Sequence, residues 1–274
     1  MQKSFKTPQP TKLHVEIGKG TVTVDAVEGL TESTVEVTGE YADDVTVEQH
    51  GDRISIRAPK MRVGFFSGDS ALTVRVSVPA ESELHVRTGS ADITATGRWR
   101  ATDLRSGSGD VQVERIESHA IIETGSGDIG VRGVLGDLRV KSGSGDVHIA
   151  EAGASVVVAT GSGNIEVGQA AGPTAVKTGS GDLRVTASDG DVTMATGSGD
   201  AIIERLNRGR VSVKGSSGDV AVGIPEGVPV WTDIFSVSGR VRSDLVGVGA
   251  PAEGQDHIEL RAKTVSGDIT LKQL

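Results

Sequence analysis

Thr124-Gly-Ser-Gly-Asp128, TGSGD, is the stretch whose reading decides the fold. Alone it looks like a linker: two glycines, two hydroxyls and an acid, with nothing to hold a core. Aligned on its last residue, it recurs at Asp92, Asp110, Asp128, Asp146, Asn164, Asp182 and Asp200, each 18 residues after the one before. The words are TGSAD, SGSGD, TGSGD, SGSGD, TGSGN, TGSGD and TGSGD. A flexible linker has no reason to keep a period, whereas stacked structural units do. Past Asp200 the step loosens, with GSSGD ending at Asp219, SVSGR at Arg240 and TVSGD at Asp268, steps of 19, 21 and 28.

Two short alternating stretches fill each unit. One follows the acid, as in Asp110-Val-Gln-Val, Asp128-Ile-Gly-Val, Asp146-Val-His-Ile, Asn164-Ile-Glu-Val and Asp182-Leu-Arg-Val. The other lies about nine residues later, at Ala120 and Ile122, Leu138 and Val140, Val156 and Val158, and Val192 and Met194. Apolar residues at every second position mark a strand with one face inward. A strand this short buries nothing alone, but copies paired in register stack Ile129 beside Val111 and Val147 and run an apolar column through the stack. The expected fold is therefore all-β, a single-chain, β-helix-like β-solenoid with 18-residue, two-strand coils. Residues 1–86 are read as irregular N-terminal strands capping the stack, 87–222 as the regular repeats, and 223–274 as irregular C-terminal coils, all in one continuous domain.

The pentapeptide then becomes a corner. Alternation carried on from Ile122 points Thr124 and Ser126 inward and makes Gly125 and Gly127 the turning points. The same register puts Gly107, Gly109, Gly143, Gly145, Gly161, Gly163, Gly179, Gly181, Gly197 and Gly199 at corners. Glycine suits the positive φ and the close coil-on-coil approach that such a corner asks for. The hydroxyls can satisfy backbone groups or bond to their copies one coil away.

The acid column is the costly part. Two carboxylates about 5 Å apart repel by roughly 1 kcal/mol in water and about 3 kcal/mol at an effective dielectric of 20. Relief comes either from turn N–H groups that each Asp accepts, or from Ca²⁺ held between coils by Asp110, Asp128, Asp146, Asp182 and Asp200. Asn164 keeps the acceptor without the charge, which favours the structural role. The calcium repeat G-G-x-G-x-D-x-U-x of secreted toxins also makes 18-residue turns, but it places a residue between its last Gly and the Asp, and GSGD has none.

Composition narrows the function. With 36% apolar residues a core can form, and with only seven aromatics among 274 residues it is built from Val, Ile, Leu and Ala. A net charge of −9 argues against nucleic acid, whose recognition rests on a basic footprint. The absence of cysteine removes disulfides, thiolate zinc sites and cysteine nucleophiles. The N-terminus MQKSFKTPQPTKLHVEIG has no apolar stretch behind its lysines, and nowhere do 18 apolar residues run together. That predicts neither an ordinary export signal nor a membrane span, hence a cytoplasmic location, with a role at the cell surface left open.

Catalytic constellations are missing. His14, His50, His85, His119, His148 and His257 share no ligand spacing, and there is no GxSxG elbow and no GxxxxGK[ST] loop. Polysaccharide-acting β-helices use a local cluster of acids or of Arg and Lys, whereas the outward positions Gln112, Gly130, His148, Glu166 and Arg184 form no consistent set. Trp99 and Trp231 bracket the repeats and are read as plugs of the ends or loops. Lys60 to Asp69, with Phe65 and Phe66, is a long excursion placed over the N-terminal end.

Several segments in one order carry a resemblance. LTVRVSVPAESELHVRTGSADITATG (72–97), the SGSGDV and TGSGDI repeats, VPVWTDIFSVSGRVRSDL (228–245) and the terminal TVSGDITL resemble a bacterial family of β-strand-repeat domains of unknown function labelled "putative adhesin". The resemblance covers nearly the whole chain and implies a β-solenoid with no catalytic residues to carry over. The expectation is a non-enzymatic scaffold, adhesin-like or protein-binding, with no cofactor and with a protein partner or self-association. A calcium-binding β-roll and a polysaccharide-acting β-helix are the alternatives.

Overall fold

The structure, a computed structural model, describes residues 1–59, 71–247, 249 and 257–274. Its chain divides into two compact units, Met1–Gly136 and Asp137–Leu274. The excursion with Phe65 and Phe66 lies outside the described residues. One turn of 3-10 helix, Ala42–Asp44, interrupts the strands, and the described residues contain no α-helix.

The first unit holds β1 (Gln2–Lys6), β2 (Lys12–Val27), β3 (Glu32–Thr38), β4 (Thr46–His50), β5 (Arg53–Arg57), β6 (Leu72–Pro79), β7 (Glu83–Trp99), β8 (Ala101–Ser106), β9 (Val111–Ile116), β10 (Ala120–Thr124) and β11 (Ile129–Val134). Strands β2 and β7 run round a corner and serve both walls, so residues 83–87 pair with β8 and residues 93–99 with β9. All pairings along the stack are parallel. One inward column runs Ile56, Val15, Val86, Leu104, Ile122 and the other Val74, Val22, Ile93, Val111, Ile129, every residue at most 2% exposed. Each such side chain contributes roughly 1.5–3 kcal/mol by leaving water, and no strand of five residues could collect that alone.

At the N-terminal end the order in space departs from the order in the chain. Strands β5 and β6 lie on one side of β2 and β7 on the other, so β5 and β6 sit outside the coil made by residues 12–27. Antiparallel strands then close it: β4 on β5, β3 on β6, and β1 on β3. Lys3 Nζ donates to the Val47 carbonyl at 2.8 Å and Gln49 Nε2 to the Lys6 carbonyl at 3.3 Å, which ties β1 to β4 across the end.

The second unit holds β12 (Leu138–Ser142), β13 (Val147–Ala152), β14 (Val156–Thr160), β15 (Ile165–Ala170), β16 (Thr174–Thr178), β17 (Leu183–Ser188), β18 (Val192–Ala195), β19 (Ala201–Ile203), β20 (Gly209–Lys214), β21 (Val220–Ile224), β22 (Val230–Ser236), β23 (Val241–Ser243), β24 (Ile258–Thr264) and β25 (Ile269–Gln273). Even-numbered strands form one wall and odd-numbered strands the other. The columns are Val140, Val158, Val176, Met194, Val213, Ala262, Ile234 and Val147, Ile165, Leu183, Ala201, Val220, Ile269, Val241. Here too the chain order is broken. The last residues of the chain, β24 and β25, insert between β20/β21 and β22/β23, so TVSGDITL makes the penultimate coil and residues 230–243 make the outermost one.

Candidate functional site

In the first unit Thr124 closes β10, and its buried Oγ1 accepts the Gly127 N–H at 3.0 Å, as Ser106 Oγ accepts that of Gly109 at 2.8 Å. In the second unit Ser142, Thr160, Thr178 and Thr196 receive the N–H of Gly145, Gly163, Gly181 and Gly199 at 2.9 to 3.2 Å. The hydroxyls therefore cap turns within their own coils, and a bond between copies occurs at Thr88 and Ser106, 3.1 Å. Ser126 corrects the inward assignment: it is exposed, because the turn shifts the alternation and gives the inward place to Gly127.

The reason for glycine also needs correcting in part. None of the corner glycines of the regular 18-residue repeats has a positive φ; Gly218, in the looser GSSGD corner, does, as do Gly20 and Gly97. Stacking is what excludes a side chain. A Cβ on Gly127 would lie 2.1 Å from the Gly109 carbonyl oxygen, one coil away, and at Gly107, Gly109, Gly125, Gly161, Gly163, Gly179, Gly181, Gly197 and Gly199 the nearest carbonyl would be 1.9 to 2.6 Å away. Gly143 takes part through its carbonyl, which accepts the Gly161 N–H at 3.0 Å.

The acids form a ladder of their own. Asp92 Oδ1 accepts the Asp110 N–H at 3.0 Å, and Asp110 Oδ1 accepts that of Asp128 at 2.9 Å. In the second unit Asp146 serves Asn164, Asn164 serves Asp182, Asp182 serves Asp200 and Asp200 serves Asp219, at 2.7 to 3.1 Å. Each acid thus accepts the backbone N–H of the next coil instead of one in its own turn, a charge-assisted bond that offsets neighbouring repulsion. Asn164 fits because its Oδ1 performs the same act. The ladder continues from Asp219 to Asp268 and ends at Arg240, whose N–H bonds Asp268 Oδ1 at 2.9 Å. Among the described residues no three His, Asp or Glu side chains lie close enough to hold a metal ion.

Outside the corners, the structure joins residues that the sequence keeps apart. His14 and His85 stack with ring centroids 4.5 Å apart and planes 11° from parallel. The pairing of β2 with β7 puts Leu13, His14 and Val15 opposite Leu84, His85 and Val86, and the repeated word Leu-His-Val was the available signal. Burial, then the nearby His85, Arg53 and Arg57, push the His14 pKa down to about 4. His148 Nδ1 lies 3.3 Å from Glu166, and Arg184 pairs with Glu204 at 2.6 Å. The two tryptophans part ways: Trp99 is fully buried, with Nε1 donating to the Thr96 carbonyl at 3.0 Å, whereas Trp231 is 52% exposed on β22.

A cleft of about 450 Å³ opens beside Trp231, lined also by His257, Glu259 and Arg261. The Arg261 guanidinium sits 5.3 Å from the Trp231 ring centroid, within cation–π range. Arg210 donates to Glu259 at 2.8 Å and holds its carboxyl below the usual carboxylate range. Glu259 is the one acid lining this cleft among the described residues, and its carboxylate is engaged by Arg210.

The sequence profile of a family described as Toastrack DUF4097 matches residues 11–272. No curated protein matches the chain. Among solved structures, a "putative adhesin" from Parabacteroides distasonis is 15% identical and similar over 98% of this chain and 97% of its own, with a TM-score of 0.40. A "putative adhesin" from Parabacteroides merdae is 12% identical over 100% and 95%, TM-score 0.39. A "putative lipid binding protein" from Parabacteroides distasonis is 13% identical over 99% and 96%, TM-score 0.38.

Proposed function

Because this chain belongs to the Toastrack DUF4097 family, we propose that it is a non-enzymatic β-solenoid scaffold, an adhesin-like or protein-interaction module whose partner is another protein or a second copy of itself. One observation carries this reading. The groups that the sequence repeats most, the corner hydroxyl, glycines and acid, are engaged in turn and coil-to-coil hydrogen bonds. What faces outward changes from coil to coil, as the exposed Gln112, His148, Glu166 and Arg184 do, and supplies a distinctive surface instead of a repeated reactive group. Glycoside hydrolysis needs two carboxyl groups about 5–10 Å apart, and among the described residues the cleft beside Trp231 is lined by one acid, Glu259, held by Arg210.

The test is a screen against a panel of polysaccharides, with released reducing ends and unsaturated products both measured. No turnover is expected. Turnover that Glu259→Gln abolishes would replace the scaffold by a polysaccharide-acting enzyme.

A further inference from the structure

The second unit ends on two strands that are each bonded on one side. Strand β22 pairs with β24 and β23 with β25, and among the described residues nothing pairs with their other edges. The inward column opens at the same level: Val220 is 3% exposed and Ile269 0%, but Val241, next in line, is 52% exposed. Trp231 and Phe235 stand exposed on the other face of β22, and Val237 and Val246 are exposed in the segments that follow β22 and β23. A bare strand edge flanked by apolar side chains is a template for further pairing.

We propose that a second copy of this chain occupies this edge, joined through the same end about a two-fold axis, with β22 and β23 continuing as antiparallel pairs. The first argument is geometric. Both walls end at one level, so the occupant must bring two strand edges and an apolar column together. The same end of another copy brings all three, and a single extended peptide does not.

The second argument is the end of the acid ladder. In this unit each coil from Asp146 to Asp268 offers an Asp or Asn oxygen to the N–H of the coil stacked in parallel upon it. The outermost coil offers Arg240, which has donors and no acceptor. A further parallel coil would find its corner N–H without a partner, so parallel growth stops there and antiparallel pairing does not depend on it. Pairing this edge with strand β1 of the first unit is disfavoured as well, because β1 carries Lys3 and Lys6 while β23 is flanked by Arg240 and carries Arg242.

The third argument is self-complementarity. Beyond β23 the chain stays on β25, with the Asp244 N–H bonded to the Leu271 carbonyl at 3.3 Å and the Val246 N–H to Gln273 Oε1 at 3.0 Å. Val241 and Ser243 share the inward face, since they stand beside the buried Ile269 and Leu271, and an extended chain would carry the same parity on to residue 245. Antiparallel self-pairing about Ser243 keeps that parity. It sets Arg242 opposite Asp244 of the second copy and Val241 opposite Leu245, twice over by symmetry.

The inference deepens the scaffold reading and rests on it. Its test uses the full chain in sedimentation velocity over a range of concentrations, together with Ser243→Cys. The chain has no cysteine, so this variant carries one thiol, placed opposite its own copy. Directly opposed residues in an antiparallel pair have Cα atoms about 4.5–5.5 Å apart, inside the disulfide range. The wild type is expected to dimerise, Ser243→Cys to form a covalent dimer on mild oxidation, and the exposed corner control Ser126→Cys to do so far less. Arg242→Glu, on an exposed side chain, is expected to weaken the dimer by about tenfold or more, as lost and now repulsive charge pairs require. A monomer at every concentration, a dimer indifferent to Arg242→Glu, or equal cross-linking through Ser126→Cys would overturn the proposal. A monomer inert toward polysaccharides would remove the dimer and leave the scaffold standing, whereas polysaccharide turnover would remove the scaffold whatever the oligomeric state.

Discussion

Gly127 and its ladder neighbours tolerate opposite kinds of change. Gly127→Ala drives a methyl into the Gly109 carbonyl, and because the obstacle is backbone, the cost is expected at about 3 kcal/mol in urea unfolding. Asp182 serves the Asp200 N–H from the surface. Asp182→Asn keeps the acceptor and should shift stability by less than about 0.5 kcal/mol, while Asp182→Ala should cost roughly 0.5–1 kcal/mol. Equal losses from the two Asp182 variants would show that the charge, and not the acceptor, is what the ladder uses. Thr174 is the reverse case, a hydroxyl inside the column between Val156 and Val192 whose Oγ1 is buried without a partner. Thr174→Val should stabilise the chain by about 1 kcal/mol, read from the same urea curves.

The strands add what residues alone do not carry. Strand β2 brings His14 against His85, and the folded chain holds His14 unprotonated until pH about 4. The unfolded chain takes that proton near 6.5, so between about 6.5 and 4 the unfolded state binds more protons and stability falls as pH falls. His85, Arg53, Arg57 and Glu83 act on the same ring. Urea midpoints from pH 7 to 5 should decline in the wild type and decline less in His14→Gln; parallel declines would assign the effect elsewhere. The inserted coil gives a second expectation. Strands β22 and β23 are bonded only to β24 and β25 among the described residues, so removing residues 258–274 should abolish hydrogen-exchange protection over 230–243. Protection that survives the truncation would contradict the strand order. The strands themselves were legible, since Val-x-Val after each acid is a property of a few consecutive residues. Their neighbours at the two ends were not, because β2 or β25 finds the same alternation and apolar width on several possible partners.

For the whole molecule, the acids decide between two kinds of stability. If the ladder rests on N–H groups, as the bonds from Asp92 to Asp128 and from Asp146 to Asp268 indicate, melting temperature and circular dichroism should be the same with EDTA and with added Ca²⁺. A large calcium-linked rise would make the corner a metal site. The 18-residue count was enough to establish an all-β chain of paired short strands with a glycine, hydroxyl and acid at each corner, because strand alternation and turn chemistry are local and each repeat states them again. Tertiary structure alone decided that the acid reaches forward to the next coil, that glycine in the regular repeats is required by a carbonyl 18 residues away and not by φ, that His14 meets His85, and that among the described residues β22 and β23 form the outermost coil of their unit with an unpaired edge. Each of these is a relation between coils, and the choice of neighbour is settled by closing the whole stack, which no single repeat encodes.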